Sequence, residues 1–293
     1  MSKRSILLML DSDEQSSVFD RVVAIDSGAE VLFAHDNVRP DQVQTLVHGC
    51  IFTRSPKDLA KTAIFVGGSN VEQAEALLAE VHRSMIPDYG LQVSTMLDAN
   101  GCNTTAAAAI RMAGSHLNLA ETTALVLGGT GPVGARVALI LAREGAKVCL
   151  GSRSLSKAQS IAKVIGHKIG NQGTCPTPLE IGSEDSLLEA SKGCSLVVAC
   201  GAAGARFTAV QKMAALGGIR VLIDLNGVPP LGLEGVEPLD KAKEKFGVLC
   251  YGALGVGGFK IKLHRACVAS LFEKNNLKLE AAEIYDLAKT LHI

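Results

Sequence analysis

The chain has no excess of charge of either sign. Its 29 lysines and arginines cancel its 29 aspartates and glutamates, so no basic surplus draws it to nucleic acid or to an anionic membrane. No apolar run approaches the length of a membrane span. Only six apolar-leaning residues separate Arg4 from Asp11, too few for a secretory signal with its cleavage site, which predicts a cytoplasmic protein. The eight cysteines include no C-x-x-C pair, and several fall inside apolar strand-like runs, so they read as reduced core residues. There is no H-E-x-x-H, no Cys and His spacing suited to zinc, and no paired Ser and His context. These absences point away from metal and nucleophilic chemistry.

What is present is 293 residues, 47% of them hydrophobic, enough for two compact lobes with a core in each. The most informative segment is Gly128-Gly129-Thr130-Gly131-Pro132-Val133-Gly134, which follows the apolar run Ala124 to Leu127 and opens a helix that ends near Gly145. Strand, glycine turn and helix in that order are the setting of a dinucleotide site. Gly129 is expected to turn the chain off the strand, Gly131 to let a pyrophosphate approach the backbone, and Gly134 to let the helix pack on the strand. Pro132 costs little in a first helical turn, where its missing N–H would have no partner. Gly129, Thr130, Gly131, Pro132, Val133 and Gly134 are therefore expected cofactor-binding residues.

About twenty residues further on, an NAD site usually places an acid against the ribose 2′-hydroxyl. Here the second strand, Lys147 to Leu150, runs into Gly151-Ser152-Arg153-Ser154 with no carboxylate. A guanidinium flanked by hydroxyls suits a 2′-phosphate, so Ser152, Arg153 and Ser154 predict NADP as cofactor. The competing reading is a solvated arginine before a helix capped by Ser154 or Ser156, and dual use of NAD stays open.

The pattern from Thr122 onward predicts strands at 123–127, 147–150, 195–200, 220–225 and 247–251 alternating with helices, a Rossmann-type doubly wound parallel sheet. Before it, strand-like runs at 5–10, 64–66 and 92–97, with helical spacing over 71–85 and from Ala106, predict a smaller N-terminal α/β domain. The expected division is 1–112, completed by a C-terminal helix within 274–293, and a nucleotide domain over 113–273. The active site is expected in the interlobe cleft.

Two polar segments remain. Asp98 to Thr105 places five polar side chains in eight residues at a helix start, suited to a polar heterocycle or to capping alone. Tyr251 to Lys260 carries four glycines within eight positions and reads as a strand-end loop whose backbone admits a flat ring. Lys260 and His264 follow four apart on one helical face, with Lys262 pointing elsewhere; a solvated cationic face is the alternative.

Ser16 to Asp20, Ala63 to Gly68, Leu97 to Ala106, the glycine loop and Tyr251 to Ala266 together resemble bacterial NADP-dependent methylene-tetrahydromethanopterin dehydrogenase, over nearly the whole chain. The resemblance implies oxidation of 5,10-methylene-tetrahydromethanopterin to the methenyl cation by direct hydride transfer to NADP, in one-carbon metabolism that carries formaldehyde toward CO2. It implies Lys260 and Asp98 as catalytic residues, Asp20, Asn103, Thr104 and His264 as substrate-binding residues, and a homo-oligomer, possibly a trimer. Asp11 and Asp13 are weaker candidates, explained equally by a strand-end turn. The cation that forms is delocalised over two flanking nitrogens, so no general base is required. The alternatives are a methylene-tetrahydrofolate dehydrogenase and a non-enzymatic NADP-sensing regulatory protein. The Tyr-x-x-x-Lys element of the bifunctional folate dehydrogenase and cyclohydrolase family is not evident, since Tyr89 is followed four residues later by Val93.

Overall fold

The computed structural model describes residues 3–171 and 173–293. The backbone divides into two compact units, Met1–Thr104 with Ile261–Leu291, and Thr105–Lys260 with the last two residues. Both junctions fall inside helices, eight residues before the expected 112/113 and thirteen before the expected 273/274. The chain enters the second unit within a helix over Cys102–Ala113 and leaves it within one over Ala253–Ser270.

In the first unit, β1 (Ile6–Asp11), β2 (Val31–His35), β3 (Thr62–Gly67), β4 (Ser94–Leu97) and a short C-terminal strand, Lys278–Leu279, form an all-parallel sheet. From one edge the order runs from the C-terminal strand through β4, β3 and β1 to β2. All six residues of β3 are buried, as a parallel strand covered on both faces requires. Helices α1 (Val18–Asp26), α2 (Pro40–Ile51), α3 (Val71–Arg83) and α4 (Cys102–Ala113) join the strands. Val43, Val47 and Ile51 make the buried stripe of α2, at the four-residue spacing of one helical face. Ser17 and Asn70 cap α1 and α3 by accepting from the amides of Asp20 and Gln73. The reversal of strand order lies between β1 and β3, a position where α/β sheets bind ligands. Neither β2 nor the C-terminal strand is evident in the sequence pattern, because β2 is half-exposed throughout and its partner at the other edge has two residues.

The second unit contains β5 (Thr123–Leu127), β6 (Lys147–Ser152), β7 (Thr177–Glu180), β8 (Leu196–Ala199), β9 (Thr208–Ala209), β10 (Val221–Asp224), β11 (Leu233–Glu234), β12 (Lys243–Lys245) and β13 (Val248–Tyr251). Seven form one sheet in the order β12-β13-β10-β8-β5-β6-β7, parallel except for β12. Strand β5 lies centrally between β6 and β8, so the order reverses beside its carboxyl end. Helices α5 (Pro132–Arg143), α6 (Leu155–Ile169), α7 (Glu184–Ser191) and α8 (Val210–Ala215) connect the strands. Leu125, Leu127, Val197, Ala199 and Leu222 belong to its core. A sheet wound in this order is the expected Rossmann type.

The segment from Tyr251 to Lys260 corrects the sequence reading. It is not a loop: helix α9 runs over Ala253–Ser270, straight through its glycines. Two of them serve contacts within the chain. The carbonyl of Pro238 accepts from the amides of Leu254 and Gly255, and that of Asp240 from Gly252, so the 237–240 turn satisfies donors that a helix start leaves open. A Cβ on Gly252 would run into the Glu237 carbonyl, and one on Gly255 into that of Asp240. Gly257 and Gly258 have open space around them. Helix α10 (Ala281–Thr290) buries Ala281, Ile284, Tyr285 and Ala288 and closes the first unit.

Gly255→Ala is therefore expected to destabilise by about 1–3 kcal/mol through overpacking. Gly258→Ala should be stabilising by about 0.4–1 kcal/mol, because the helical backbone accepts alanine. Urea unfolding of the two variants checks the difference, and equal midpoints would overturn this account of the glycines.

Candidate functional site

At the carboxyl end of β5 the turn is made by Gly128, whose φ is +69°, rather than by Gly129. Gly129 is required for another reason: a Cβ there would come within 2.5 Å of the Leu150 side chain, while its amide donates to the Gly151 carbonyl at 2.9 Å. Gly134 sets α5 against the turn, since a Cβ there would run into the Gly128 carbonyl and approach Gly129 Cα to 2.8 Å. Gly131 is different. Its Cβ would meet nothing nearer than the Gly128 carbonyl at 3.4 Å and the Cys200 carbonyl at 3.9 Å, so the chain itself does not exclude a side chain. The space that Gly131 leaves open adjoins the cavity described below. Pro132 occupies the first position of α5, and Val133 and Gly134 follow in the turn where a helix offers no carbonyl to amides. An anion fits this cradle.

A cavity of about 680 Å³ opens there, within the range of nucleotide pockets. Its walls are Leu127, Gly128, Thr130 and Gly131 of the turn, Gly151 to Ser154 with Lys157, Ile181 to Glu184 with Leu187, and residues of the segment after β8 between Cys200 and Phe207. Gly129, Pro132, Val133 and Gly134 shape the turn and helix start without lining it. Ser152 accepts from the Ser154 amide at 3.2 Å and its hydroxyl meets that of Thr130 at 3.3 Å, tying the two loops together. Ser154 caps α6 by accepting from the Lys157 amide. Exposed Arg153, Lys157 and Arg206 all line the cavity. Its carboxylate, Glu184, is engaged elsewhere: Lys212 and Thr208 each donate to it at 2.7 Å, and the Lys212 hydrogen bond, then that of Thr208, holds its pKa below the usual range.

Sequence reasoning missed Lys157, Arg206 and the 181–184 wall. Lys157 had a legible signal, standing four residues after Arg153 and three after the Ser154 cap, on the first turn of α6. The other two lie on segments after β7 and β8 that only the fold brings to the cavity.

The first unit gathers a second set. Asp98, buried at the end of β4, accepts from the amides of Asn103 and Thr104 on Oδ1 at 2.9 and 3.0 Å, and from the Thr104 hydroxyl on Oδ2 at 2.5 Å. The Asn103 side chain donates to the Leu97 carbonyl. Both residues are thus bound into the start of α4. His264, fully buried on α9, has Nδ1 at 3.9 Å from Asp98 Oδ2 and at 3.9 Å from Asp20 Oδ1 on α1. Its ring stacks on Phe65, with centroids 5.7 Å apart and planes 15° apart, and is tilted to Phe19 at 6.1 Å. Asp20, Asp98 and His264, far apart in sequence, form one cluster, and no group of three or more His, Cys, Asp or Glu among the described residues is placed to hold a metal. Lys260 is half-buried and Lys262 exposed on α9. Asp11 and Asp13 are strand-end turn residues: Asp11 accepts from the amides of Asp13 and Ser17, and Asp13 from Ser69.

The second unit's sheet, glycine turn and cavity define the class as a Rossmann-type dinucleotide-binding protein. Solved structures agree on the fold: shikimate 5-dehydrogenase from Listeria monocytogenes, in complex with shikimate and NAD, is 12% identical with a TM-score of 0.56, over 97% of this chain and 96% of that one. Quinate dehydrogenase from Corynebacterium glutamicum, in complex with NAD, is 16% identical with a TM-score of 0.53, over 99% and 100%. Residues 18–100 match the family model for the N-terminal part of methylene-tetrahydromethanopterin dehydrogenase. Two proteins of Methylorubrum extorquens match along almost their whole lengths: the "Bifunctional protein MdtA", 41% identical over 99% of this chain and all of that one, and an "NAD(P)-dependent methylenetetrahydromethanopterin dehydrogenase", 29% identical over 97% and 98%. The chain belongs to the methylene-tetrahydromethanopterin dehydrogenase family.

If Arg153 and Lys157 hold an NADP 2′-phosphate, Arg153→Ala should weaken NADP by roughly 1.5–3 kcal/mol, about ten- to a hundred-fold. Lys157→Ala should cost less, about three- to ten-fold, because an ammonium makes a point contact where the guanidinium makes a fork. NAD affinity should hold in both, and salt should shrink the wild-type preference. Titration of both nucleotides checks this, and an unchanged NADP-to-NAD ratio would assign Arg153 and Lys157 to a solvated helix start.

Proposed function

We propose that the protein oxidises 5,10-methylene-tetrahydromethanopterin to 5,10-methenyl-tetrahydromethanopterin with NADP as acceptor, by direct hydride transfer, in cytoplasmic one-carbon metabolism that handles formaldehyde. The observation that carries this reading is the cationic cavity beside Gly131, on a chain whose first unit matches the family model across residues 18–100. The Gly128 to Gly134 turn would hold the pyrophosphate, and Arg153 with Lys157 the 2′-phosphate. NADP supplies the nicotinamide ring that takes the hydride.

The chain's task is then orientation and electrostatics. Breaking the C–H bond with its electron pair leaves a carbon whose positive charge is shared by two nitrogens, and no proton needs to be removed. The residue set agrees, since Asn103 and Thr104 are locked into the α4 start and Asp98 accepts three hydrogen bonds from it. We assign the pterin to the first unit, Asp20 and His264 to its site, and Lys260 to orienting polar edges.

A homo-oligomer fits one further feature. On α1, Val18, Val22 and Ile25 are 71%, 53% and 53% exposed at the i, i+4, i+7 spacing of a single face, opposite buried Val23 and Ala24. Phe33, on the neighbouring edge strand β2, is 50% exposed. An apolar stripe beside an unpaired strand edge suits a second copy of the chain.

Assays of purified protein with methylene-tetrahydromethanopterin and methylene-tetrahydrofolate, each with NAD and NADP, are expected to show NADP reduction with the methanopterin at the highest kcat/KM. Equal or reversed preference would overturn the substrate assignment, and tight NADP binding with no turnover would make the protein a sensor. Sedimentation is expected to show a trimer that Val22→Asp dissociates without loss of folding; a monomeric wild type would remove the proposal of self-association.

A further inference from the structure

Arg153, Lys157 and Arg206 line the nucleotide cavity from two different elements. Arg153 and Lys157, the residues proposed above for the 2′-phosphate, stand just past β6 and on the first turn of α6. Arg206 stands on the segment after β8, the strand that flanks β5 on the side opposite β6. That segment begins against the glycine turn itself. A Cβ on Gly128 would come within 2.9 Å of the Cys200 carbonyl oxygen, and the open space at Gly131 faces the same carbonyl at 3.9 Å. The chain then folds back on itself: the Ala205 amide donates to the Ala202 carbonyl at 2.9 Å, and Gly201 leaves room for the Phe207 ring, which a Cβ there would meet at 2.8 Å. Beyond Arg206 the wall is anchored. The Phe207 amide donates to the Gly232 carbonyl at 2.8 Å, β9 pairs with β11, and the Thr208 hydroxyl donates to Glu184 at 2.7 Å.

The Arg206 side chain is held more loosely than its backbone. Its guanidinium lies 3.6 Å from Glu234 Oε2, and the two side chains are 67% and 73% exposed. An ion pair so open to water contributes little, whereas a guanidinium and a phosphate make strong, often two-pronged contacts. A fixed wall thus carries an arginine that can change partners.

We propose that Arg206 is a further cofactor-binding cation, exchanging Glu234 for the pyrophosphate of NADP when the nucleotide binds over the Gly128 to Gly134 turn. The proposal rests on the dinucleotide reading above. Its segment begins on the β8 side of the glycine turn, where the Gly131 space opens, rather than on the β6 side. Arg153 and Lys157 therefore meet the phosphate that NADP has and NAD lacks, and Arg206 meets the charge that the two nucleotides share. Glu234 competes for that arginine and lowers the affinity for both.

The two roles give different patterns on titration. Arg206→Ala should weaken NADP and NAD alike, each about three- to tenfold, the loss of a charge-assisted contact discounted for its exposure. Arg206→Lys should recover part of that loss. Glu234→Gln should strengthen both nucleotides about two- to threefold, and should do nothing in the Arg206→Ala background, because the competition it relieves is for that arginine. Binding of NADP and NAD to the wild type, the single variants and the double variant reads these shifts without turnover, and an unchanged Tm without nucleotide establishes that the variants are folded. A loss confined to NADP would place Arg206 at the 2′-phosphate and overturn the pyrophosphate assignment. Unchanged affinity for both nucleotides in Arg206→Ala would leave a solvated surface arginine and overturn the proposal outright. An equal gain from Glu234→Gln with and without Arg206 would make Glu234 a repulsive charge acting through space and overturn the exchange. A wild type that binds neither nucleotide would strike the dinucleotide reading instead.

Discussion

Close approach of backbone to backbone at the carboxyl end of β5 is the constraint on which the nucleotide site depends. Helix α5 lies so near its own entering turn that a methyl group at Gly134 would occupy the Gly128 carbonyl. This contact fixes where the first turn of α5 stands, and therefore where its unsatisfied amides point. The Gly129 amide bond to Gly151 then ties the turn to the end of β6, and the Ser152 and Thr130 hydroxyls join the same two loops. Arg153 and Lys157 inherit their positions from that arrangement. Loosening the glycine contact would displace the phosphate-facing amides and the cations together.

The parts of this structure that were legible in the sequence are those where one local segment carries the whole signal. The glycine turn, the strand before it and Arg153 lie within about thirty residues, and the missing carboxylate after β6 could be read directly. The α9 glycines were misread because their reason is not local. Gly252 and Gly255 make room for a turn at 237–240 that reaches them only through the antiparallel β12 and β13 pair. Without that partner, glycines close together look like a loop, since the residue is poor in helices and common in turns. Strand β7 was invisible for a related reason: its four residues alternate little in burial and include a proline.

Asp20, Asp98 and His264 illustrate a different limit. Each occupies a segment that suggested polar function, but nothing in their spacing indicates that an aspartate of α1 and one at the end of β4 both approach a histidine near the end of the chain. The junction inside α9 brings them together, because the chain returns to the first unit at Ile261, three residues before His264. A division at 273/274 would have left His264 with the nucleotide unit. The shift of the boundary by one helix is thus a chemical matter as well as a topological one.

The two sites also differ in the sign of what they offer. The nucleotide cavity carries Arg153, Lys157 and Arg206 at its walls, and its carboxylate is turned toward Lys212. The cluster in the first unit sets two carboxylates about a buried imidazole. A chain with equal numbers of acidic and basic residues has therefore sorted them locally, with cations gathered around the nucleotide cavity. The cofactor carries the chemistry, and what the protein adds is position and potential.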